Sequence, residues 1–463
     1  MRIIRFDNKG WRARFDQGFN AKNVARAADA FAYIWADANP GSTVLVGYDT
    51  RYQGAEFAKV VGGVLASYGL RAVVSDAPCP TPALGWAVAR DDQALGAVML
   101  TASSASCEYG GISVRGADGG PVSDEFYAAA TQIVPSVEVG GAGSFELADF
   151  VTPYLEHLAS LANASVLADA APKIVVDPMF GSARGHLARL LGDLGCDVTQ
   201  IHGGDAPDFE GLHPLPGEPW VDRCERAVAQ SGGGFGIVLD GDADRLGLVD
   251  EDGTFVSPHR MVPLVLDHLV SDLGRQGRVV ATYSSSAYLR RQAARLGCRF
   301  TAVPMGFSRI YREFVEGDVV LGAEERGGVS IPSHLAERDG LYAALLVAEL
   351  VATRGVPLRE LVAELEDDLG AMHYISRDIR LDAASIQTFR NILPGLNLPE
   401  VCGRRPVYVS HSDGLVLRFE DDSWVQLRPS RTEPLVRARA EAPNVHDAEQ
   451  LAQTTCLAAQ RLR

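Results

Sequence analysis

Several features that mark large protein classes are missing from this chain of 463 residues. Its seven cysteines, at positions 79, 107, 196, 224, 298, 402 and 456, form no CxxC and no zinc-ligand spacing. An odd, scattered set in a long chain predicts reduced thiols, not a disulfide framework or a structural zinc site. No window approaches the roughly 18 uninterrupted apolar residues of a membrane span, so no membrane partner is expected. The opening MRIIRFDNKGWRARFD is charged where a secretion signal needs an apolar stretch, and the expected location is cytoplasmic. Basic residues are also in deficit, with 43 Lys plus Arg against 59 Asp plus Glu and a net charge near −16. A polyanion-binding surface needs a basic stripe, and no long basic run is present, so nucleic acid is not an expected partner.

What the chain does have is 47% hydrophobic and 22% charged residues, the balance of a folded protein with several cores. At roughly 150 residues per domain, the length suggests about three or four units. The runs TVLVGY (43–48), RAVVSD and LGAVMLTASS (95–104) read as strands, with a helix over 54–69 between the first two. The rhythm recurs in PKIVVDP, a helix over 182–195, GCDVTQI and GFGIVLDGD, and again in GRVVATY, a helix over 286–296 and DVVLGAEE. Alternating strands and helices predict α/β units with parallel sheets. From about residue 373 the pattern becomes strand-rich, with HYISRDIRLD, PVYVSHSDGLVLRFED, SWVQLRPS and a helix over 446–461, which predicts a smaller α+β unit. The expected segments are 1–150, 151–258, 259–371 and 372–463.

Four loops carry chemistry. DGDADR places Asp240, Asp242 and Asp244 on a turn after the apolar run GIVL, and alternate carboxylates there can converge on a hard divalent cation. A calcium EF-hand loop is excluded because Arg245 stands where that loop needs glycine and the flanks are strand-like. An aspartyl nucleophile on the same turn stays open on these residues alone. TASSAS (101–106) presents Ser103, Ser104 and Ser106 at a strand end, each a candidate nucleophile or phosphate carrier, or a structural turn. RPSRTEPLVRAR (428–439) gathers Arg428, Ser430, Arg431, Thr432 and Arg437, guanidinium forks and hydroxyls suited to phosphate. GAEERGG (322–328) ends a strand in carboxylates that suit sugar hydroxyls, or equally a helix cap.

In this order the loops resemble those of the α-D-phosphohexomutases, the phosphoglucomutase/phosphomannomutase superfamily. That family's G-T-[SD]-G-x-R, T-A-S-H-N-P, D-G-D-[GA]-D-R, G-E-x-S and R-x-S-G-T-E-P stand here as DNKGWR (7–12), TASSAS, DGDADR, GAEERGG and RPSRTEP (428–434). GYDTR (47–51), GFS (306–308) and ERDG (337–340) add further matches. The resemblance covers essentially the whole chain. It implies four domains, three related α/β domains and a smaller C-terminal α+β domain, around one central cleft. It also implies transfer of phosphate between the 1- and 6-positions of a hexose through a phosphoserine and a bisphosphorylated sugar. On that resemblance, phospho-Ser103 together with Asp240, Asp242 and Asp244 binds Mg2+. Arg12 and Arg245 clamp the moving phosphate, and Glu324 and Arg326 lie in the sugar loop. Arg428, Ser430, Thr432 and Arg437 grip the distal phosphate. Hexose 1,6-bisphosphate is the expected activator, a sugar phosphate the partner, and the protein a monomer or homodimer.

The departures from the family pattern concern proton transfer. The His, Asn and Pro of the phosphoserine loop are Ser104, Ala105 and Ser106, and two family lysines are Ser113 and Ser308. Serine is a poor base near neutral pH. Arg326 and Arg431 are new cations, replacing serine and glycine of the pattern. In a mutase these arginines and His334 would substitute for the lost acid–base groups. A phosphatase or phosphotransferase acting on an unusual sugar phosphate, and a non-catalytic sugar-phosphate-binding paralogue, are the alternatives.

Overall fold

The computed structural model describes residues 3–137, 139–141, 143–430 and 434–461. Four sheets follow one another along the chain, three mixed sheets layered with helices and a final antiparallel one. In the first, Thr43–Tyr48, Arg71–Ser75 and Ala94–Leu100 run parallel, with the helices Gly54–Ser67 and Thr81–Ala89 between them. These strands are buried almost throughout, as apolar runs must be when helices cover both faces of a parallel sheet.

The expectation of parallel sheets holds for these central strands and needs correction at their edges. Tyr109–Gly116 returns antiparallel beside Ala94–Leu100, and Trp11–Arg14 pairs antiparallel with it. Residues 101–108 are too few for the crossover of about a dozen residues that a parallel return needs. The same device occurs twice more. Phe235–Leu239 lies parallel to Lys173–Asp177, then turns through 240–245 into antiparallel Leu246–Val249. Val319–Ala323 lies parallel to Arg278–Thr282, then turns through 324–328 into antiparallel Val329–Ser330. Three of the chemically interesting loops are therefore hairpin turns, held by ladder bonds on both flanks at the end of a buried strand.

The last sheet has the spatial order His373–Arg380, Leu435–Ala442, Trp424–Pro429, Leu415–Arg418, Tyr408–Ser410. The helices Ala383–Ile392 and Val445–Arg461 belong to this unit. The basic segment 428–439 is not one loop: Arg428 lies near the end of one strand and Arg437 within the next. One apolar cluster runs through the first three units, including Leu45, Met99, Ile237, Leu246 and Leu321, whereas Leu417, Leu427, Ala438 and Leu451 belong to a separate core. Gly340–Arg354, apolar on all sides, is buried from Gly340 through Leu350, as a helix of that kind must be. Among the described residues no single helix is long and apolar enough to cross a membrane.

Candidate active site

The DGDADR turn folds its three carboxylates inward. Asp240, Asp242 and Asp244 are buried, and one oxygen from each lies within 4.8 Å of the others. Asp240 Oδ1 accepts the backbone N–H groups of Asp244 (3.0 Å) and Arg245 (3.2 Å), which closes the turn on itself. Asp242 Oδ2 accepts the Thr81 hydroxyl at 2.8 Å, and Asp244 Oδ2 pairs with Arg338 at 2.6 Å. Asp242 Oδ1 and Asp244 Oδ1 are buried with no hydrogen-bond partner among the described residues. Burial, reinforced by the other two carboxylates, pushes Asp240 well above the usual carboxylate range, and burial with Asp244 raises Asp242. For Asp244 burial acts in the same direction, but Arg338 and Arg245 outweigh it and hold the group low. Crowded buried carboxylates with spare oxygens form the donor set of a hard divalent cation, whose charge relieves their repulsion.

Ser103 faces this triad. It is buried, has a left-handed backbone (φ 51°), and its Oγ donates to Asp240 Oδ2 at 2.8 Å. That conformation is unfavourable for a residue other than glycine and persists only where the surroundings enforce it. Arg51 does so from beneath. Its guanidinium donates to the carbonyls of Ser103 (2.5 Å), Ala105 (2.6 Å), Ser106 (2.8 Å) and Tyr109 (3.2 Å), and its Nε to Asp49 (3.1 Å). Asp49 in turn accepts the Thr101 hydroxyl, whose oxygen accepts the Ser103 N–H. Arg245 reaches between the loops, donating to Ser104 Oγ at 2.5 Å.

Ser103, Asp242, Asp244 and Arg245 line one cavity together with Arg12, Lys9, Ser113 and Ser308. Arg338 ties its walls together, meeting Asp244, Glu324 (2.9 Å) and Glu337 (3.2 Å), while Arg115 pairs with Glu337 at 2.6 Å. Burial opposes ionisation of Glu324, but Arg338, Lys9 and Arg245 together hold it below its usual range. The 322–328 and 240–245 turns are also joined through backbone, Leu246 N–H donating to Gly327 O at 3.0 Å. Gly327 has φ +85°, and a Cβ there would stand 2.1 Å from Leu246 O, so only glycine permits this contact.

The other anticipated residues divide into two groups. Arg428 and Ser430 line a second cavity with Arg390 and Asp413, and Arg437 sits directly across the ladder from Arg428. Two guanidinium groups in register on neighbouring strands repel, which favours an anion between them. Arg428 Nε is buried without a partner among the described residues. Arg326 is half exposed, with its Nε 3.9 Å from Glu325, and lines neither cavity. Arg431 and Thr432 lie outside the described residues.

His334 is not brought to either cavity. Its ring is 2% exposed, with Nε2 against Asp339 at 2.8 Å and Nδ1 against His157 at 3.2 Å. Asp339 also accepts the Tyr154 hydroxyl and caps the helix Gly340–Arg354 through the Tyr342 N–H. Nε2 is committed to the capping Asp339 and Nδ1 to His157, so the expectation of a proton-transferring His334 is corrected.

Sequence reading assigned no role to Lys9, Arg51, Arg115, Glu337 or Arg338. GYDTR and ERDG marked the segments of Arg51 and Arg338, but the carbonyls and carboxylates they bind are distant in sequence.

Family descriptions match almost end to end. "Phosphoglucomutase/phosphomannomutase, alpha/beta/alpha domain I" matches residues 4–138, domain II residues 152–253, domain III residues 257–368, and the C-terminal domain residues 397–458. A phosphoglucomutase/phosphomannomutase of Thermococcus kodakarensis is 28% identical over 88% of this chain and 87% of its own. A phosphoglucosamine mutase of Prochlorococcus marinus is 30% identical over 86% and 83%. A Thermus thermophilus crystal structure assigned as a phosphomannomutase superposes with a TM-score of 0.88 at 30% identity, covering 99% of both chains. An Aspergillus fumigatus N-acetylphosphoglucosamine mutase, solved with GlcNAc-6P and magnesium, shares the fold at a TM-score of 0.62 and 15% identity, covering 100% of this chain and 96% of its own.

Proposed function

The chain belongs to the phosphoglucomutase/phosphomannomutase family, and from that premise we propose that it moves phosphate between the 1- and 6-positions of a hexose through phosphorylated Ser103. The observation that carries this reading is the left-handed Ser103, locked by Arg51 and directed at a buried carboxylate triad.

Asp240, Asp242 and Asp244 would hold Mg2+, with phosphate on Ser103 as a further ligand. All the donors are oxygen, and two are buried without a hydrogen-bond partner among the described residues, which fits a hard cation better than a soft one. Bound there, the ion neutralises charge on the phosphoryl group, the main requirement of phosphoryl transfer. Arg12 and Arg245 flank the transferring phosphate. Arg428, Ser430 and Arg437, with Arg431 and Thr432 of the same segment, hold the distal phosphate in either orientation of the sugar. Glu324 accepts from sugar hydroxyls, and Arg326 stands where the reorienting intermediate passes. The net charge of −16 repels anionic substrates at long range, so these local arginines must dominate the field in the cleft. Hexose 1,6-bisphosphate acts as the activator that loads the serine. The domains divide near residues 150, 258 and 371.

Mass spectrometry after incubation with Mg2+ and hexose 1,6-bisphosphate tests the carrier. Phosphate is expected on Ser103 in the wild type. Ser103→Ala is expected to take up none and to lose interconversion while its circular dichroism stays unchanged. Full activity in that variant would assign the carrier to Ser104 or Ser106 and contradict the reading.

A further inference from the structure

Transfer to a sugar hydroxyl releases a proton, and the central cavity is short of groups able to take it. Its carboxylates are committed. Asp242 and Asp244 belong to the triad, and Glu337 is held between Arg115 and Arg338. Arginines do not deprotonate in proteins. Burial pushes the Tyr127 phenol up to about 12, and the hydroxyls of Ser113 and Ser308 are weaker bases still. Among the described titrating side chains of the lining, Lys9 remains.

The chain has only four lysines, Lys9, Lys22, Lys59 and Lys173, so a lysine in the cleft stands out against an arginine background. Lys9 sits at the tip of a tight turn closed by paired backbone bonds, Asp7 N–H to Gly10 O (2.9 Å) and Gly10 N–H to Asp7 O (3.0 Å). The Asp7 carboxylate accepts the Lys9 N–H at 2.8 Å. Gly10 has φ +93°, and a Cβ there would lie 2.0 Å from Ile112 O, so the turn is pressed against the strand Tyr109–Gly116 that also carries Ser113. The Lys9 ammonium makes no hydrogen bond or ion pair within the described residues. Its side chain is open to the cleft. Charged groups face it from each surrounding wall: Glu324 from the sugar turn, Arg245 from the metal turn, Arg12 from the first strand and Arg338 from the segment before the helix Gly340–Arg354. Although the residue as a whole is exposed, crowding of its amine by these walls is the largest influence, and with the three arginines it outweighs Glu324 and brings the amine down to about 8.

We propose that Lys9 is the general acid–base of the transfer, supplying from the first turn the titrating amine that Ser113 and Ser308 cannot. The proposal rests on the mutase reading above. As the sugar oxygen–phosphorus bond forms, the Ser103 Oγ–phosphorus bond breaks with its electron pair on Oγ. The hydroxyl proton passes to Nζ, and Oγ takes a proton from water. In the return half, Oγ gives its proton back to water and attacks. The sugar oxygen leaves with the electron pair and receives the Nζ proton, so protons and charge balance over the cycle.

Lys9→Arg keeps the charge and removes titration near neutrality; Lys9→Met removes both. General acid–base groups contribute about 100-fold or more. In both variants kcat is expected to fall at least that far, with KM within about threefold, and the rise of kcat/KM through about pH 8 seen in the wild type is expected to disappear. An unchanged circular dichroism spectrum and cooperative thermal unfolding identify folded variants. A Lys9→Arg protein that folds and keeps wild-type kcat and its alkaline limb would overturn the proposal. A wild type that interconverts no hexose phosphate would instead overturn the mutase reading, and this role with it.

Discussion

An ammonium placed among Arg12, Arg245 and Arg338 opposes folding in the absence of an anion. The direction of the resulting pH dependence follows from the depressed amine. Below about 8 Lys9 is charged in both folded and unfolded chains, and the folded state carries the full penalty. As pH rises toward the ordinary lysine range the penalty fades, because the folded protein has already released the proton. Lys9→Met is therefore expected to raise Tm at pH 7, and the gain over the wild type should shrink steadily as pH approaches about 10. Comparing thermal unfolding of the two proteins across that window checks it. A gain independent of pH would mean the methionine stabilises by packing alone. Sites retained at a cost in stability are a usual feature of catalytic clefts.

The hairpin turn is the working element of this protein. The strand ends at Leu100, Leu239 and Ala323 were legible because β-branched and apolar runs stop abruptly at polar residues. Of their antiparallel partners only Leu246–Val249 showed, as a strand-like flank, since a short return strand such as Val329–Ser330 leaves little pattern in sequence. Nor was the scaffold beneath the serine turn. Arg51 and Asp49 are adjacent to a strand and read as a polar loop, yet both side chains are buried, with exposures of 3% and 1%. Arg51→Met leaves the buried Asp49 carboxylate without its counter-ion and several carbonyls without their donors, and a loss of roughly 3–5 kcal/mol is expected, measured by urea unfolding. Transfer to and from Ser103 should fall as well, because the left-handed serine loses what enforces it. An unchanged unfolding midpoint would show that the loop does not depend on Arg51.

At the scale of the whole chain, order along the sequence was more informative than spacing. The succession of turns identified the architecture, but the bonds joining units connect residues far apart in sequence. Thr81 meets Asp242, Glu325 meets Arg439 at 2.5 Å, and Glu441 accepts from Ser286 and the Ala287 N–H. No local pattern announces such pairs. The same limit explains His334, which reads as a spare acid–base group and is occupied by Asp339 and His157 once the chain folds. It also explains Lys9, whose chemistry depends on walls supplied by other units. These contacts unite turns from successive units around Ser103, and the central claim is that this assembly returns phosphate to sugar. Phosphorus NMR of the wild-type protein with Mg2+, a trace of hexose 1,6-bisphosphate and a panel of hexose 1-phosphates tests that claim most directly. A growing 6-phosphate signal is expected from at least one sugar, with no net release of inorganic phosphate. Accumulation of free phosphate, or no change with any hexose 1-phosphate while the bisphosphate is bound, would contradict that claim.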